Sequence, residues 1–178
     1  YASTANQGTT TAGLVFAGAG PSYTTPTALN ESYDGTSYTE ENDMNTARKN
    51  AGGGGISTAA FVAGGNPPTV ALTETWNGTS WTEVNNLNTA RIFPGSSGTV
   101  TTALIFGGGE SPITAKTEKW DGTCWTEVAD LGTARERLAK GTGASDASAL
   151  AINGTPSGNT AVEEWGDPVY SIKTVTVS

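Results

Sequence analysis

The amino-acid sequence predicts an all-β protein with the architecture of a β-propeller, and three observations support this. The chain has 178 residues, of which only 35% are hydrophobic and 24 are glycine. Its apolar residues occur in short runs bounded by glycine, as in strands joined by tight turns. A similar unit also recurs four times along the chain. Units of roughly 40 to 50 residues that each form a four-stranded sheet are typical of β-propellers.

The repeat is marked by an aromatic residue that returns at a nearly constant interval. This position is held by Tyr33, Trp76, Trp120 and Trp165, which are 43, 44 and 45 residues apart. In the first three units a second aromatic residue follows five positions later, at Tyr38, Trp81 and Trp125. Across a short hairpin this spacing puts both rings on one face of the sheet, where they can pack against a neighbouring sheet.

Each unit divides into four predicted strands, and the second unit shows them most clearly. A glycine-rich inner strand at 51–55 precedes an apolar second strand at 60–65. The third strand ends at Trp76, and the turn at 77–78, Asn-Gly, predicts a hairpin to an outer strand at 81–84. We therefore expect a single domain over 1–178, with four blades that are each a four-stranded antiparallel sheet, at approximately 1–45, 46–88, 89–132 and 133–178.

Glycine recurs in the predicted inner strands at 51–55, 94–98 and 140–143. Because glycine weakens a free strand, its recurrence indicates a place where backbones crowd together, such as the axis of a propeller. This favours a compact four-bladed ring. Two other assemblies stay open, namely part of a longer polypeptide and a half-ring completed by a second copy, which would be a homo-oligomer.

Charge and composition argue against several functions. The formal net charge is -8 and no cluster of basic residues occurs, so a nucleic acid is not an expected partner. No apolar stretch is long enough for a membrane helix, so we expect no membrane insertion. The chain has no histidine and one cysteine, Cys124, which excludes imidazole-assisted nucleophiles and thiolate-rich zinc sites. We expect no metal and no cofactor.

The residues of the repeat resemble those of the kelch family, in which an apolar strand is followed by a diglycine, an aromatic residue, a tryptophan and an arginine. The matching residues are Gly64, Gly65, Trp76, Trp81 and Arg91, and then Gly107, Gly108, Trp120, Trp125 and Arg135. The resemblance implies a kelch-like β-propeller. The pattern aromatic-Asp/Asn-Gly-Thr-Ser-aromatic-Thr-Glu further resembles kelch-like repeats of structural and tail-appendage proteins of marine bacteriophages, which implies a virion or extracellular protein.

Glutamates and arginines also recur in phase, and we interpret both sets as structural. The sets are Glu31, Glu74, Glu118 and Glu164, and Arg48, Arg91 and Arg135. A catalytic group is needed once, whereas repeated residues lie at equivalent places around a ring, so ion pairs or hydrogen bonds to strand ends are favoured. Packing between blades is the role expected of Trp76, Trp81, Trp120, Trp125 and Trp165.

The connections between the second and third strands differ most from unit to unit, and each contains proline. Variable loops on a rigid scaffold commonly carry recognition, and proline lowers the cost of ordering them on binding. The candidate ligand-binding residues on these loops are Tyr23, Asn66, Glu110, Ser111 and Asn159.

A non-enzymatic function is therefore expected. We expect a virion structural or appendage protein that binds a host-surface glycan, a receptor or other virion subunits. The alternative is a propeller enzyme, either a glycosidase or an enzyme of the galactose oxidase type, with no identifiable active site in this chain. An intracellular adaptor is a third hypothesis, although kelch adaptors usually carry an extra oligomerisation domain and none is visible.

Overall fold

The computed structural model describes residues 5–109, 112–138, 148–156, 162–166 and 173–175. Over these residues the regular secondary structure is entirely β-strand. The strands form four antiparallel sheets in which neighbours along the chain are also neighbours in the sheet. The predicted all-β fold is confirmed.

Each sheet comes from one repeat unit. The first consists of β1 (Ala5–Thr9), β2 (Ala12–Phe16), β3 (Asn30–Tyr33) and β4 (Tyr38–Glu40). The second consists of β5 (Gly52–Ile56), β6 (Ala59–Ala63), β7 (Thr73–Trp76) and β8 (Trp81–Val84). The third consists of β9 (Gly95–Gly98), β10 (Ala103–Phe106), β11 (Thr117–Trp120) and β12 (Trp125–Val128). The fourth consists of β13 (Ser148–Ile152), β14 (Val162–Gly166) and β15 (Lys173–Val175), and the inner strand predicted at 140–143 lies outside the described residues.

The second strand of a sheet contributes side chains to two cores, one on each face of the sheet. All four residues of β10 are buried. Because successive side chains of a strand point to opposite faces, Ile105 packs in a core with Trp125, whereas Leu104 packs in another with Trp165. On β6, Val62 and Phe61 are divided between two cores in the same way. Consecutive sheets are therefore stacked face to face, in the predicted propeller-like arrangement.

The inner strands of consecutive sheets lie side by side, and glycine allows this close approach. The Ser96 hydroxyl on β9 donates to the carbonyl of Gly53 on β5 at 2.8 Å and accepts from the Gly53 N–H at 3.0 Å. A Cβ atom added at Gly54 would lie 2.6 Å from the carbonyl oxygen of Gly98 on β9. A side chain at Gly54 would therefore push two inner strands apart.

Antiparallel pairing places the two kinds of connection at opposite ends of the sheets. The hairpins that join first to second strands and third to fourth strands lie at one end, which we call the hairpin face. The other end, which we call the loop face, carries the connections from second to third strands and the segments that lead into the next sheet. In the described residues it consists of 17–29, 41–51, 64–72, 85–94, 107–109, 112–116, 129–138 and 153–156.

Candidate binding face

Backbone hydrogen bonds hold the loop face together. The N–H of Gly18, in the loop between β2 and β3, donates to the carbonyl of Arg48 at 3.0 Å. Gly65 makes the equivalent bond to Arg91 at 2.9 Å, and the bond in the third unit measures 2.8 Å. Each loop is thus tied to the segment that enters the next sheet, so the sheets fix where the loops lie.

Three residues at equivalent positions form an inner rim on the loop face. The N–H of Phe93 donates to the carbonyl of Asn50 at 2.7 Å, and the N–H of Arg137 donates to that of Phe93 at 3.0 Å. All three have left-handed backbones, with φ of 60°, 53° and 55° for Asn50, Phe93 and Arg137. The guanidinium carbon of Arg137 lies 3.9 Å from the centroid of the Phe93 ring, which is a cation–π contact. Arg137 Nε also lies 3.4 Å from Glu136 Oε1, so the rim presents a paired guanidinium backed by an aromatic ring.

Tyr23 is the most exposed large hydrophobic residue that the structure describes, with 67% of its surface accessible. Its φ is 57°, which turns the chain at the tip of the first loop. The Lys49 ammonium donates to the carbonyl of Tyr23 at 2.6 Å, and so fixes the loop tip against the segment leading into the second sheet. The ring is free to contact a partner while its backbone is held.

Asn66 lies in the framework of the loop face. Its backbone pairs with that of Lys49 through two hydrogen bonds of 2.9 Å. Its side-chain oxygen accepts a hydrogen bond from the Asn50 amide at 2.9 Å, and the residue is half-buried. Asn66 therefore links the second loop to the rim. Three further predicted binding residues, Glu110, Ser111 and Asn159, lie outside the described residues.

The repeated arginines and glutamates form buried ion pairs beneath the loop face. Arg48 Nη1 lies 2.5 Å from Glu74 Oε1 on β7. Arg91 Nη2 lies 2.6 Å from Glu118 Oε1 on β11, and neither side chain is exposed. Each arginine lies just before the inner strand of a sheet, and its glutamate lies on the third strand of the same sheet. Each ion pair therefore links the segment entering a sheet to the third strand of that sheet.

The hydrogen bonds of the Glu118 carboxylate all come from the segment that leads into its sheet. Its Oε1 accepts from Arg91, and its Oε2 accepts from the backbone N–H of Asn88 at 2.6 Å and from the Asn88 amide at 3.0 Å. Arg91 also donates to the carbonyls of Gly107 and Lys116 in the third loop. Burial lowers the pKa of Arg91, and the neighbouring Glu118 carboxylate opposes that shift. Neither group reaches solvent, so the pair is built for structure.

The fourth carboxylate of this set is Glu163, and the sequence assignment to Glu164 is wrong. Arg135 Nη2 donates to Oε1 of Glu163, and both side chains are buried. Glu164 is exposed on the opposite face of β14. The spacing explains the error, because the paired glutamates Glu74 and Glu118 stand two residues before Trp76 and Trp120, and two residues before Trp165 is position 163.

The tryptophans of the repeat lie between sheets. Trp76 and Trp81 stand opposite each other on β7 and β8 with ring centroids 5.6 Å apart, and Phe16 of the first sheet meets Trp81 edge-on at 4.9 Å. The buried positions of Trp120, Trp125 and Trp165 correspond to these in the later sheets. Trp125 also donates from its ring N–H to the Thr73 hydroxyl of the second sheet at 3.1 Å.

The described residues line a small cavity and an open groove. An apolar cavity of about 10 Å³ lies between the third and fourth sheets beside Phe106 and Trp165, too small for an organic ligand. An open groove of about 510 Å³ is lined by Glu83 and Val84 of the second sheet and by Trp120 and Gly122 of the third. Within the described residues no group of three potential metal ligands occurs, and no helix there has the length and apolarity to cross a membrane.

Comparison with models of known protein families finds no match, and comparison with curated proteins finds no similar sequence.

Proposed function

We propose that this protein is a non-enzymatic binding module and that its loop face is the contact surface. The observation that carries the proposal is the exposed Tyr23 ring on a loop whose backbone is fixed by Lys49. Binding is favoured when the contacting side chain is displayed on a backbone that is already ordered, because less conformational entropy is lost.

The chemistry of the loop face suits a polar or sugar-like ligand. An exposed tyrosine ring offers a flat apolar surface with a hydroxyl at its edge, and Arg137 offers guanidinium donors beside the Phe93 ring. Variable loops around these residues would supply selectivity. A host-surface glycan, a protein receptor or another virion subunit are the partners we propose.

The burial and ion pairing of the repeated charged residues support a non-catalytic function. Glu74 and Glu118 are buried and bonded to Arg48 and Arg91. A general acid or base must reach its substrate. The charged residues that recur in the repeat are therefore poor candidates for one.

A virion appendage is the setting we propose for this module. The support is the resemblance of the repeat to the kelch family, and of its aromatic-Asp/Asn-Gly-Thr-Ser-aromatic-Thr-Glu pattern to bacteriophage tail-appendage repeats. On this proposal the protein is located on the virion or outside the cell, and it acts by attachment.

A glycan array and direct binding measurements with purified virion proteins test the proposal. We expect Tyr23→Ala to weaken binding at least about tenfold, which corresponds to the loss of about 1.4 kcal/mol. The matched control is Ile56→Ala, because Ile56 is similarly exposed but lies on the hairpin face. Absence of binding to every glycan and virion protein, or equal losses in both variants, would contradict the proposal. Glycan hydrolysis abolished by a single carboxylate substitution would replace it with the enzyme alternative.

A further inference from the structure

One face of the first sheet, formed by Glu31, Tyr33 and Tyr38, is uncovered where the equivalent faces of the next two sheets are covered; we call it the open face. Tyr38 is 62% exposed, whereas Trp81 and Trp125 at the same position are each 5% exposed. Tyr33 is also only half-buried. Within the part of the chain that the structure describes, the open face therefore lacks the neighbour that the same face has in the second and third sheets.

In the second sheet the covering element is the seven-residue segment 42–48, which we call the clamp. The Asn42 amide donates to the carbonyl of Thr79 at 2.8 Å. The Asn45 amide donates to the carbonyl of Trp81 at 3.1 Å and to Glu74 at 2.9 Å. Met44 is buried in the core beneath these contacts, and the clamp ends in the arginine that pairs with Glu74.

The third sheet is covered by a second clamp, 85–91, with the same contacts. Asn85 donates to the carbonyl of Thr123 at 2.8 Å, and Asn88 donates to that of Trp125 at 2.9 Å. The clamps share the sequence Asn-x-apolar-Asn-Thr-Ala-Arg. Their four contacting positions are the two asparagines, the apolar residue and the arginine.

The residues of the open face occupy the same strand register as the residues that a clamp contacts in the second sheet. Glu31 stands opposite Val15 on β2, as Glu74 stands opposite Val62 on β6. Tyr33 stands opposite Tyr38, as Trp76 stands opposite Trp81. The Glu31 carboxylate is half-buried and makes no hydrogen bond or ion pair in the described part of the chain. It is complementary in charge to an incoming arginine.

The described arginines of this chain are engaged elsewhere. Those of the clamps and Arg135 are buried against their own glutamates, and Arg137 stacks on Phe93. The clamp arginine precedes a left-handed glycine by seven residues, as Arg48 precedes Gly55. The same spacing before Gly8 falls on Tyr1, so the first unit has tyrosine where the second and third units have arginine.

We infer that the open face is a docking site for a clamp sequence, Asn-x-apolar-Asn-Thr-Ala-Arg, from a further repeat unit outside residues 1–178. Its arginine pairs with Glu31, its asparagines bind the carbonyls of Thr36 and Tyr38, and its apolar residue covers the tyrosine rings. The interface continues the stacking of sheets already present between the first and second units. A folded second copy cannot supply this arginine without breaking one of its own buried pairs.

The test uses the whole chain labelled with 3-fluorotyrosine and a capped peptide of sequence Val-Asn-Asn-Leu-Asn-Thr-Ala-Arg-Ile. In ¹⁹F NMR, we expect saturable shifts of the Tyr33 and Tyr38 resonances, assigned with Tyr→Phe variants, and no shift of Tyr23. Glu31→Gln in the protein, or glutamine in place of the peptide arginine, weakens binding at least about tenfold. The control protein Glu83→Gln binds the peptide as the unaltered protein does, because Glu83 is an exposed residue on the outer strand of the second sheet and is not part of the open face.

A second test attaches the clamp sequence covalently to the chain, so that the result does not depend on the affinity of a free peptide. Replacing Tyr1 with the clamp Asn-Asn-Leu-Asn-Thr-Ala-Arg puts the arginine in register with Glu31 and should raise the thermal midpoint by at least about 3 °C. The rise should disappear in the Glu31→Gln background. An equal rise in both backgrounds, or Tyr38 already protected from solvent in the protein alone, would overturn the inference. Tyr23 takes no part, so this test and the test of the proposed function fail independently.

Discussion

Arg135 donates a hydrogen bond to Glu163, and both side chains are buried, while the adjacent Glu164 is exposed on the other face of the same strand. The backbone N–H of Gly132 donates to the second carboxylate oxygen of Glu163 at 2.6 Å. One strand thus carries two neighbouring carboxylates with opposite surroundings. The side that a strand turns toward the protein decides which carboxylate stabilises the fold.

Substitution of the two glutamates on β14 should therefore have very different effects. Glu163→Gln leaves Arg135 buried without its counter-charge and should lower the free energy of unfolding by about 3 to 5 kcal/mol. Glu164→Gln is the matched control and should change it by less than about 0.5 kcal/mol. Urea denaturation followed by tryptophan fluorescence measures both values. A larger loss for Glu164→Gln would mean that β14 is in the other register.

The outer aromatic position should also respond differently in different sheets. Trp81 packs edge-on against Phe16 and is buried, so Trp81→Ala should cost about 3 to 5 kcal/mol of stability. Tyr38 holds the same position in the first sheet but is exposed, so Tyr38→Ala should cost less than about 1 kcal/mol. Thermal unfolding followed by circular dichroism gives the comparison. Similar losses would show that the first sheet is covered as the others are.

Inner-strand glycines should be sensitive to a single methyl group. In Gly54→Ala the new Cβ would lie 2.6 Å from the carbonyl oxygen of Gly98, so crowding should cost about 1 to 3 kcal/mol. Gly166→Ala is the control, because a Cβ there meets nothing within 4 Å. Chemical denaturation of the two variants measures the difference. If both variants are as stable as the unaltered protein, the inner strands of the second and third sheets are not in contact.

Two aspartates in the hairpins should make stability fall in acid. Hydrogen bonds from the backbone N–H groups of Ser37 and Thr36 lower the pKa of Asp34 below its ordinary 3.8, and bonds from Cys124 and Thr123 do the same for Asp121. A carboxylate whose pKa is lowered by folding stabilises the folded state at pH values above its pKa in the unfolded chain. This contribution is lost as the pH falls through the lower pKa of the folded protein.

The unaltered protein should therefore lose more stability between pH 5 and pH 2 than a variant with both Asp34→Asn and Asp121→Asn. Asparagine can accept the same turn hydrogen bonds without titrating, as Asn77 does in the second sheet from Thr79 and Ser80. Thermal midpoints across this pH range provide the measurement. Parallel curves for the two proteins would contradict the role assigned to the aspartates.

The sequence predicted the fold because the repeat is visible at the positions that pack between sheets. Regularly spaced tryptophans and the Asn77-Gly78 turn specify a hairpin and its inward face. In the fourth unit two adjacent glutamates made the phase ambiguous, and only strand orientation distinguishes Glu163 from Glu164.

The rim of the loop face could not be predicted, because its residues share a backbone shape and differ in side chain. Asn50, Phe93 and Arg137 all have left-handed φ, yet phenylalanine and arginine rarely adopt it. Their common position appears only when the backbone is seen. Asn45 and Asn88 stand three residues before the repeated arginines, but their bonds to Glu74 and Glu118 depend on the neighbouring strand.

Each arginine stabilises the sheet that follows it in the chain, and a double-mutant cycle on Arg91 and Glu118 measures this stabilisation. Free energies of unfolding for Arg91→Met, Glu118→Gln and the double variant should give a coupling energy of about 2 to 3 kcal/mol. The same cycle with Arg91 and Glu74 should be additive within about 0.5 kcal/mol, because Glu74 is paired with Arg48. Coupling of Arg91 to Glu74, or none to Glu118, would contradict the arrangement of the sheets described above.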